Sequence, residues 1–163
     1  MTPARTLVLA VAACFALLAC HRSPPSGPDS GKAFLVQNAH ADGVHVTPSG
    51  LQYRILRSGP ATGIRPKPAD EVKVNYEGKL LDGEVFDSSY QRGTPVVMTV
   101  RELVPGWVEA LQLMRPGDEW LLYVPPSLGY GDKGAGPIPP NSVLVFKLEL
   151  IGVAPDPSSV QKA

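Results

Sequence analysis

Between residues 51 and 153, apolar side chains recur at every second position in short runs, and that period dictates extended structure. Leu51, Tyr53 and Ile55 alternate with Gln52 and Arg54, and Val72, Val74 and Tyr76 alternate with Lys73, Asn75 and Glu77. Successive side chains of an extended chain point to opposite faces, so each run reads as a strand with one face buried, as in antiparallel sheets. Asp82-Gly83 is a hairpin signal, because both residues tolerate the positive φ of a primed turn. Further strands are predicted over 85–88, 96–100, 120–124 and 143–153. The 18 prolines and 16 glycines gather at the ends of the chain and between these runs, where they act as turn punctuation.

One segment breaks the period. Trp107, Ala110, Leu111 and Met114 follow helical spacing, Pro105 sits in a first turn where its missing N–H is harmless, and Arg115-Pro116-Gly117 ends the run. The spacing predicts a helix over 105–113 whose apolar stripe must meet a sheet. The whole reads as an α+β fold, an antiparallel β-sheet of four to six strands wrapped on one short α-helix, in a single domain of ordinary size. The stretch 125–141 is too rich in Gly and Pro for regular structure, and a long loop inside a compact domain is usually functional.

The N-terminus has a different character. Arg5 precedes an apolar run over 7–18, then Ala19-Cys20 gives way to His21-Arg22-Ser23, the layout of an export signal. The run is short for a bilayer span, which takes about 20 residues. Leu17-Leu18-Ala19-Cys20 resembles a bacterial lipobox, which makes Cys20 the predicted lipidation site and residues 1–19 the signal peptide. Val11-Ala12-Ala13-Cys14 fits the same pattern, but cleavage there leaves a very short apolar region. An uncleaved anchor helix is the alternative, with the same compartment. The expectation is an exported, membrane-anchored lipoprotein of a bacterial cell envelope, facing the periplasm or the cell surface. Residues 20–46 read as the lipidated Cys, a flexible tether and a short helix over 32–43, residues 47–154 as the folded domain, and 155–163 as a disordered tail. With Cys14 removed and Cys20 acylated, the folded part holds no thiol and must rely on its core.

Fifteen Lys+Arg against fifteen Asp+Glu leave a formal net charge of zero, which gives no electrostatic footprint for nucleic acid. His21, His40 and His45 are the only histidines and all precede the domain, so neither a Ser/His triad nor a zinc site is expected in its core. No metal and no cofactor is predicted.

Six segments, in order, carry a resemblance: Val74-Asn75-Tyr76-Glu77-Gly78, Val85-Phe86-Asp87-Ser88-Ser89, Val104-Pro105-Gly106-Trp107, Tyr130-Gly131, Ile138-Pro139-Pro140 and Leu144-Val145-Phe146. The chain from about Leu51 to Val153 resembles the FKBP-type peptidyl-prolyl cis-trans isomerases. Thr47-Pro48-Ser49-Gly50-Leu51-Gln52-Tyr53 and Ile138-Pro139-Pro140-Asn141-Ser142 are similar to the bacterial Mip-like branch. The resemblance implies an FKBP-like fold and proline-containing polypeptides as substrates, with macrolides of the tacrolimus and rapamycin class as inhibitors. It makes Trp107 the floor of a pocket with Tyr76, Phe86, Val104, Ile138 and Phe146 as walls. Asp87 and Tyr130 are its polar groups, and the Ile138 amide is a donor to the ligand. Phe86, Asp87 and Tyr130 are the catalytic candidates. The sequence departs from better-known members at Val96 and Met98, where Phe is frequent, at Leu128, where a second Tyr is frequent, and in a shorter 132–137 loop. These substrate-binding positions bear on specificity more than on activity.

Rotation about a peptide bond breaks no bond, so no nucleophile is required. An apolar pocket favours the twisted amide, which has lost charge separation, over the planar one. Asp87 either orients Tyr76 or meets the twisted carbonyl, and it could equally cap a turn. Trp107 and Tyr76 are core residues whatever the function. A non-catalytic chaperone or proline-peptide binding module on an envelope lipoprotein is the alternative function. A monomer is expected, since only 32–43 in the tether offers a helix.

Overall fold

The computed structural model describes residues 28–157. The predicted signal peptide, Cys20, the start of the tether and the last residues of the tail lie outside them. The described elements are α1 (Pro28–Asn38), β1 (Val44–Val46), β2 (Gln52–Arg57), β3 (Glu71–Lys79), β4 (Val85–Ser88), α2 (Ser89–Arg92), β5 (Val96–Thr99), α3 (Pro105–Leu113), β6 (Glu119–Val124) and β7 (Leu144–Ala154). The strands form one antiparallel sheet in the order β1-β2-β6-β7-β3-β4, with β5 also paired to β3. Seven strands rather than six result because β1, three residues long, is too short to show an alternation.

β4 and β5 share one edge of β3. β4 lies along Glu77 to Lys79 and β5 along Glu71 to Val74, so the chain between them must leave the sheet and return. The one-turn helix α2 is that excursion. Ser88 caps it by accepting the Gln91 N–H at 3.3 Å, and Gly93, at φ 73, ends it. Ser89, fully buried, accepts the Tyr76 N–H at 2.9 Å and donates to Asn75 Oδ1 at 3.1 Å, which pins the excursion to β3.

The core lies between the sheet and α3. Val72, Val74 and Tyr76 of β3, Trp120, Leu122 and Val124 of β6, and Leu144, Phe146, Leu148 and Leu150 of β7 are buried at alternate positions. Trp107, Ala110, Leu111 and Met114 face them, the stripe that the spacing predicts, and α3 occupies the predicted residues. Each fully buried Leu or Val contributes roughly 1.5–3 kcal/mol relative to exposure. The helix ends because Arg115 precedes Pro116, which disfavours helical backbone at Arg115. The turn beyond it is clamped by the buried Asp118, whose carboxylate accepts the Arg115 N–H at 2.8 Å and the Gly59 N–H at 2.6 Å. A Cβ on Gly59 would sit 2.1 Å from the Pro116 carbonyl oxygen, so that close approach requires glycine.

Three expectations change. The N-terminal helix runs Pro28–Asn38 rather than 32–43, because turns donated by His40 and Ala41 unwind the chain before Gly43, at φ 73. It covers a corner of the sheet face opposite α3, with Phe34 against Tyr123 at 5.7 Å and Asn38 and the Leu35 carbonyl bonding Gln52, each at 2.8 Å. Along β2, Leu51 is fully buried as expected, but Ile55 is 42% exposed while the polar Gln52 is buried. Alternation fixes which face a side chain joins, and it says nothing of how far the covering layer reaches. Toward this edge His45 stacks on Tyr53 at 5.0 Å, and Tyr53 on Trp120 at 4.3 Å. Finally, Asp156, counted with the tail, is held by its N–H to the buried Asp70 carboxylate at 2.9 Å.

Candidate functional site

A cavity of about 610 Å³ opens between α3, the β3–β4 end of the sheet and the 130–138 loop, within the range of small-molecule pockets. Its floor is Trp107, which Pro105 and helical spacing turn inward one residue beyond Gly106. A Cβ on Gly106 would lie 2.8 Å from Val124 Cγ1, so glycine lets α3 approach β6 and seats the indole deep in the core. Tyr76 and Phe146 meet the indole edge-on, at 5.1 and 5.2 Å between ring centres, and Phe86 meets Phe146 edge-on at 5.6 Å. These spacings suit the quadrupoles of aromatic rings. The indole N–H is buried and has no acceptor among the described residues.

One corner is polar. The Tyr76 hydroxyl donates to Asp87 Oδ2, Arg92 donates to Asp87 Oδ1, and Arg92 Nη2 donates to the Tyr76 oxygen at 3.0 Å. Arg92 also lies over the Tyr76 ring, 5.5 Å from its centre. Burial alone would raise the Asp87 carboxyl. The hydrogen bonds from Tyr76 and Arg92, the Arg92 charge and the Ser88 amide together outweigh it and hold the group below the ordinary aspartate value. Burial, and then the bond to Asp87, push the Tyr76 phenol up. Of the three sequence readings of Asp87, the turn cap falls to Ser88, and the carboxylate is bonded by Tyr76.

The predicted residues divide as follows. Tyr76, Phe86, Asp87, Met98, Val104 and Trp107 line the cavity, as do Tyr130, Ile138 and Phe146. Val96 and Leu128 do not line it and pack instead against the buried core. The Ile138 amide differs from expectation as well. It donates to the Ala135 carbonyl at 2.8 Å, and the Ala135 N–H returns to the Ile138 carbonyl at 3.0 Å, so the loop closes on itself around Gly136. At the start of α3, Pro105 has no N–H and the Trp107 and Val108 amides bond the Val104 carbonyl at 2.9 and 3.1 Å, so the amides left for a ligand there are those of Val104 and Gly106. The Tyr130 side chain is 40% exposed at the rim, and its hydroxyl has no partner among the described residues. Sequence reasoning missed Arg92, Glu102 and Leu103. Arg92 follows Asp87 by five residues across a one-turn helix, and neither strand nor helix periodicity flags that spacing. Among the described residues, no group of His, Cys, Asp and Glu could hold a metal ion.

Comparison with known proteins places these features in a family. Residues 63–151 match the profile described as FKBP-type peptidyl-prolyl cis-trans isomerase, and residues 27–55 match a domain amino-terminal to such isomerases. The peptidyl-prolyl cis-trans isomerase Mip of Coxiella burnetii is 48% identical over 126 residues, 77% of this chain and 54% of that protein. The outer membrane protein MIP of Legionella longbeachae is 48% identical over 124 residues, 76% of this chain and 52% of that protein. The crystal structure of FkpA from Escherichia coli aligns with a TM-score of 0.75 at 42% identity, covering 79% of this chain and 60% of that one. The chain thus spans little more than half the length of these curated relatives.

Proposed function

The chain belongs to the FKBP-type peptidyl-prolyl cis-trans isomerases, and on that footing we propose that it accelerates X-Pro bond rotation in extracytoplasmic polypeptides and so assists their folding. The observation that carries this reading is a cavity floored by Trp107 and walled by Phe86 and Phe146, with polarity confined to one corner and the rim. Amide resonance sets a rotational barrier of about 18–20 kcal/mol. A twisted amide has less charge separation than a planar one, so water stabilises the planar form more. Transfer to an apolar pocket therefore narrows the gap between them, which is preferential binding of the transition state.

In this reading the proline ring rests on Trp107. A first-turn amide of α3 and the Tyr130 hydroxyl fix the flanking carbonyls. Asp87, with both carboxylate oxygens occupied by Tyr76 and Arg92, acts by positioning Tyr76 and its own strand. A protease-coupled assay on an Ala-Leu-Pro-Phe anilide tests the activity. Acceleration over the uncatalysed rate is expected, and its absence would favour the non-catalytic binding module. Inhibition by tacrolimus in the same assay tests the macrolide reading.

We also read the protein as an envelope lipoprotein acylated at Cys20. Support comes from the signal-like layout of residues 5–20 and from a relative named as an outer membrane protein. Fatty-acid labelling that survives Cys20→Ala would overturn this. A monomer is the expected state, because α1 folds back onto its own sheet through Phe34 and Gln52. Sedimentation of the mature chain as a dimer would refute it.

A further inference from the structure

Asp87 and Glu102 are the two carboxylates that line the cavity, and they differ in one respect. Asp87 is neutralised by Arg92, whereas Glu102 makes no hydrogen bond or ion pair among the described residues. Glu102 is the last residue of a 3-10 turn, Val100–Glu102, immediately before Leu103 and Val104 on the lip of the pocket. Its backbone is anchored. The Val100 N–H bonds the Asp70 carbonyl at 3.0 Å, the Arg101 N–H bonds the Pro68 carbonyl at 2.8 Å, and the Leu103 N–H closes the turn onto the Val100 carbonyl at 3.2 Å. Val100 is itself fully buried. Arg101, next in the chain, is exposed and is absent from the cavity wall. The lip therefore carries, on an anchored stretch of backbone, a carboxylate that has no ion-pair partner among the described residues and lies on the cavity wall where its neighbour Arg101 does not.

We propose that Glu102 is a specificity-determining residue that gives the site a charge preference, so that prolines flanked by Lys or Arg are isomerised faster than prolines flanked by Asp or Glu. The inference rests on the isomerase reading. An exposed carboxylate within several ångströms of a substrate charge acts through solvent. The expected gain for a flanking cation is about threefold and the loss for a flanking anion similar, both shrinking as salt shortens the Debye length to about 3 Å at 1 M.

The test is protease-free. Exchange spectroscopy measures catalysed cis/trans interconversion in matched peptides with Lys, Leu or Glu either before or after the proline, for the wild type and Glu102→Gln, at low and at 1 M salt. The Lys-to-Glu ratio of catalysed rates should reach about five- to tenfold in at least one position for the wild type. It should fall below twofold both in Glu102→Gln and at high salt. A wild-type ratio below twofold at both positions, or a ratio that persists in the variant, overturns the proposal. If no peptide, the Leu one included, exchanges faster, the isomerase reading falls instead. The ratio of Kd values for the same peptides, from chemical-shift titration, then decides the charge preference by the same thresholds.

Discussion

Tyr76 reaches Asp87 diagonally across the β3–β4 pair: the direct partner of Asp87 is Gly78, two residues along β3, and the phenol spans the gap to donate to the carboxylate. Diagonal neighbours in a sheet are within reach of aromatic side chains. Because Arg92 holds the other carboxylate oxygen and also bonds the phenol, three side chains from β3, β4 and α2 close one polar corner of the cavity. Tyr76→Phe removes one donor without changing shape, and it should reduce kcat/KM by a factor of about three to ten with under about 1.5 kcal/mol lost in stability. Asp87→Ala strands both Tyr76 and Arg92, and it should reduce kcat/KM more than tenfold. A double-mutant cycle between Asp87 and Arg92 should show strong non-additivity, and additive losses would mean that the two act separately.

The same corner predicts a response to acid. The carboxyl of Asp87 is held below its ordinary value of 3.8, so its ionisation favours the folded state. That contribution is complete above the unfolded pKa and disappears as pH falls through the lowered folded value. The melting temperature should therefore decline below about pH 4, and Asp87→Asn should flatten part of the decline. Glu149, held low against burial by Arg57 and Asn75, has the same sign and accounts for a further part. Superimposable acid profiles for wild type and Asp87→Asn, followed by circular dichroism, would show that the carboxylate contributes nothing.

Gly78 is predicted to act on the pocket from behind. A Cβ there would lie 2.7 Å from both the Phe86 and the Phe146 ring, so Gly78→Ala must push the two walls inward or apart. Overpacking of this kind costs about 1–3 kcal/mol. Activity should fall mainly through a raised KM, since the floor at Trp107 stays in place. An unchanged KM in steady-state kinetics would contradict the tight nesting of these rings.

Asp118 offers a test of the clamp that ends α3. Replacing it by Ala removes the acceptor of two amides, those of Gly59 and Arg115, in a buried turn. Each unsatisfied group costs about 1–3 kcal/mol, so Asp118→Ala should lower the unfolding free energy by about 2–4 kcal/mol. Urea titration should show this as a lower midpoint with an unchanged slope.

Much of this architecture is legible in the chain because periodicity reports a local property. The stripe Trp107, Ala110, Leu111 and Met114 predicts both the extent and the buried face of α3, and the alternations through Val72 and Leu122 predict inward faces. What depends on distant coverage is not legible. Ile55 reads as inward but lies beyond the covering layer, and Gln52 is buried only because α1 folds onto it. Within the site, large apolar side chains declare themselves, whereas hydrogen-bond partners do not. The Ile138 amide is consumed by Ala135 through a loop closure that no pattern encodes, and Arg92 reaches Asp87 only because α2 leaves the sheet and returns. Val96 and Leu128 share the chemistry of wall residues and differ from them in position alone.

The two tryptophans occupy contrasting surroundings, and this makes the molecule its own pair of optical probes. Trp107 is crossed edge-on by Tyr76 and Phe146 at the bottom of the cavity, while Trp120 lies flat against Tyr53, the planes 8° apart, at the β2 side of the sheet. A ligand on the cavity floor changes the emission of the first and leaves the second as an internal reference. Loosening of the β1–β2 edge does the reverse. With Trp107→Phe and Trp120→Phe measured in parallel, occupancy and local opening become two separate signals from unlabelled protein.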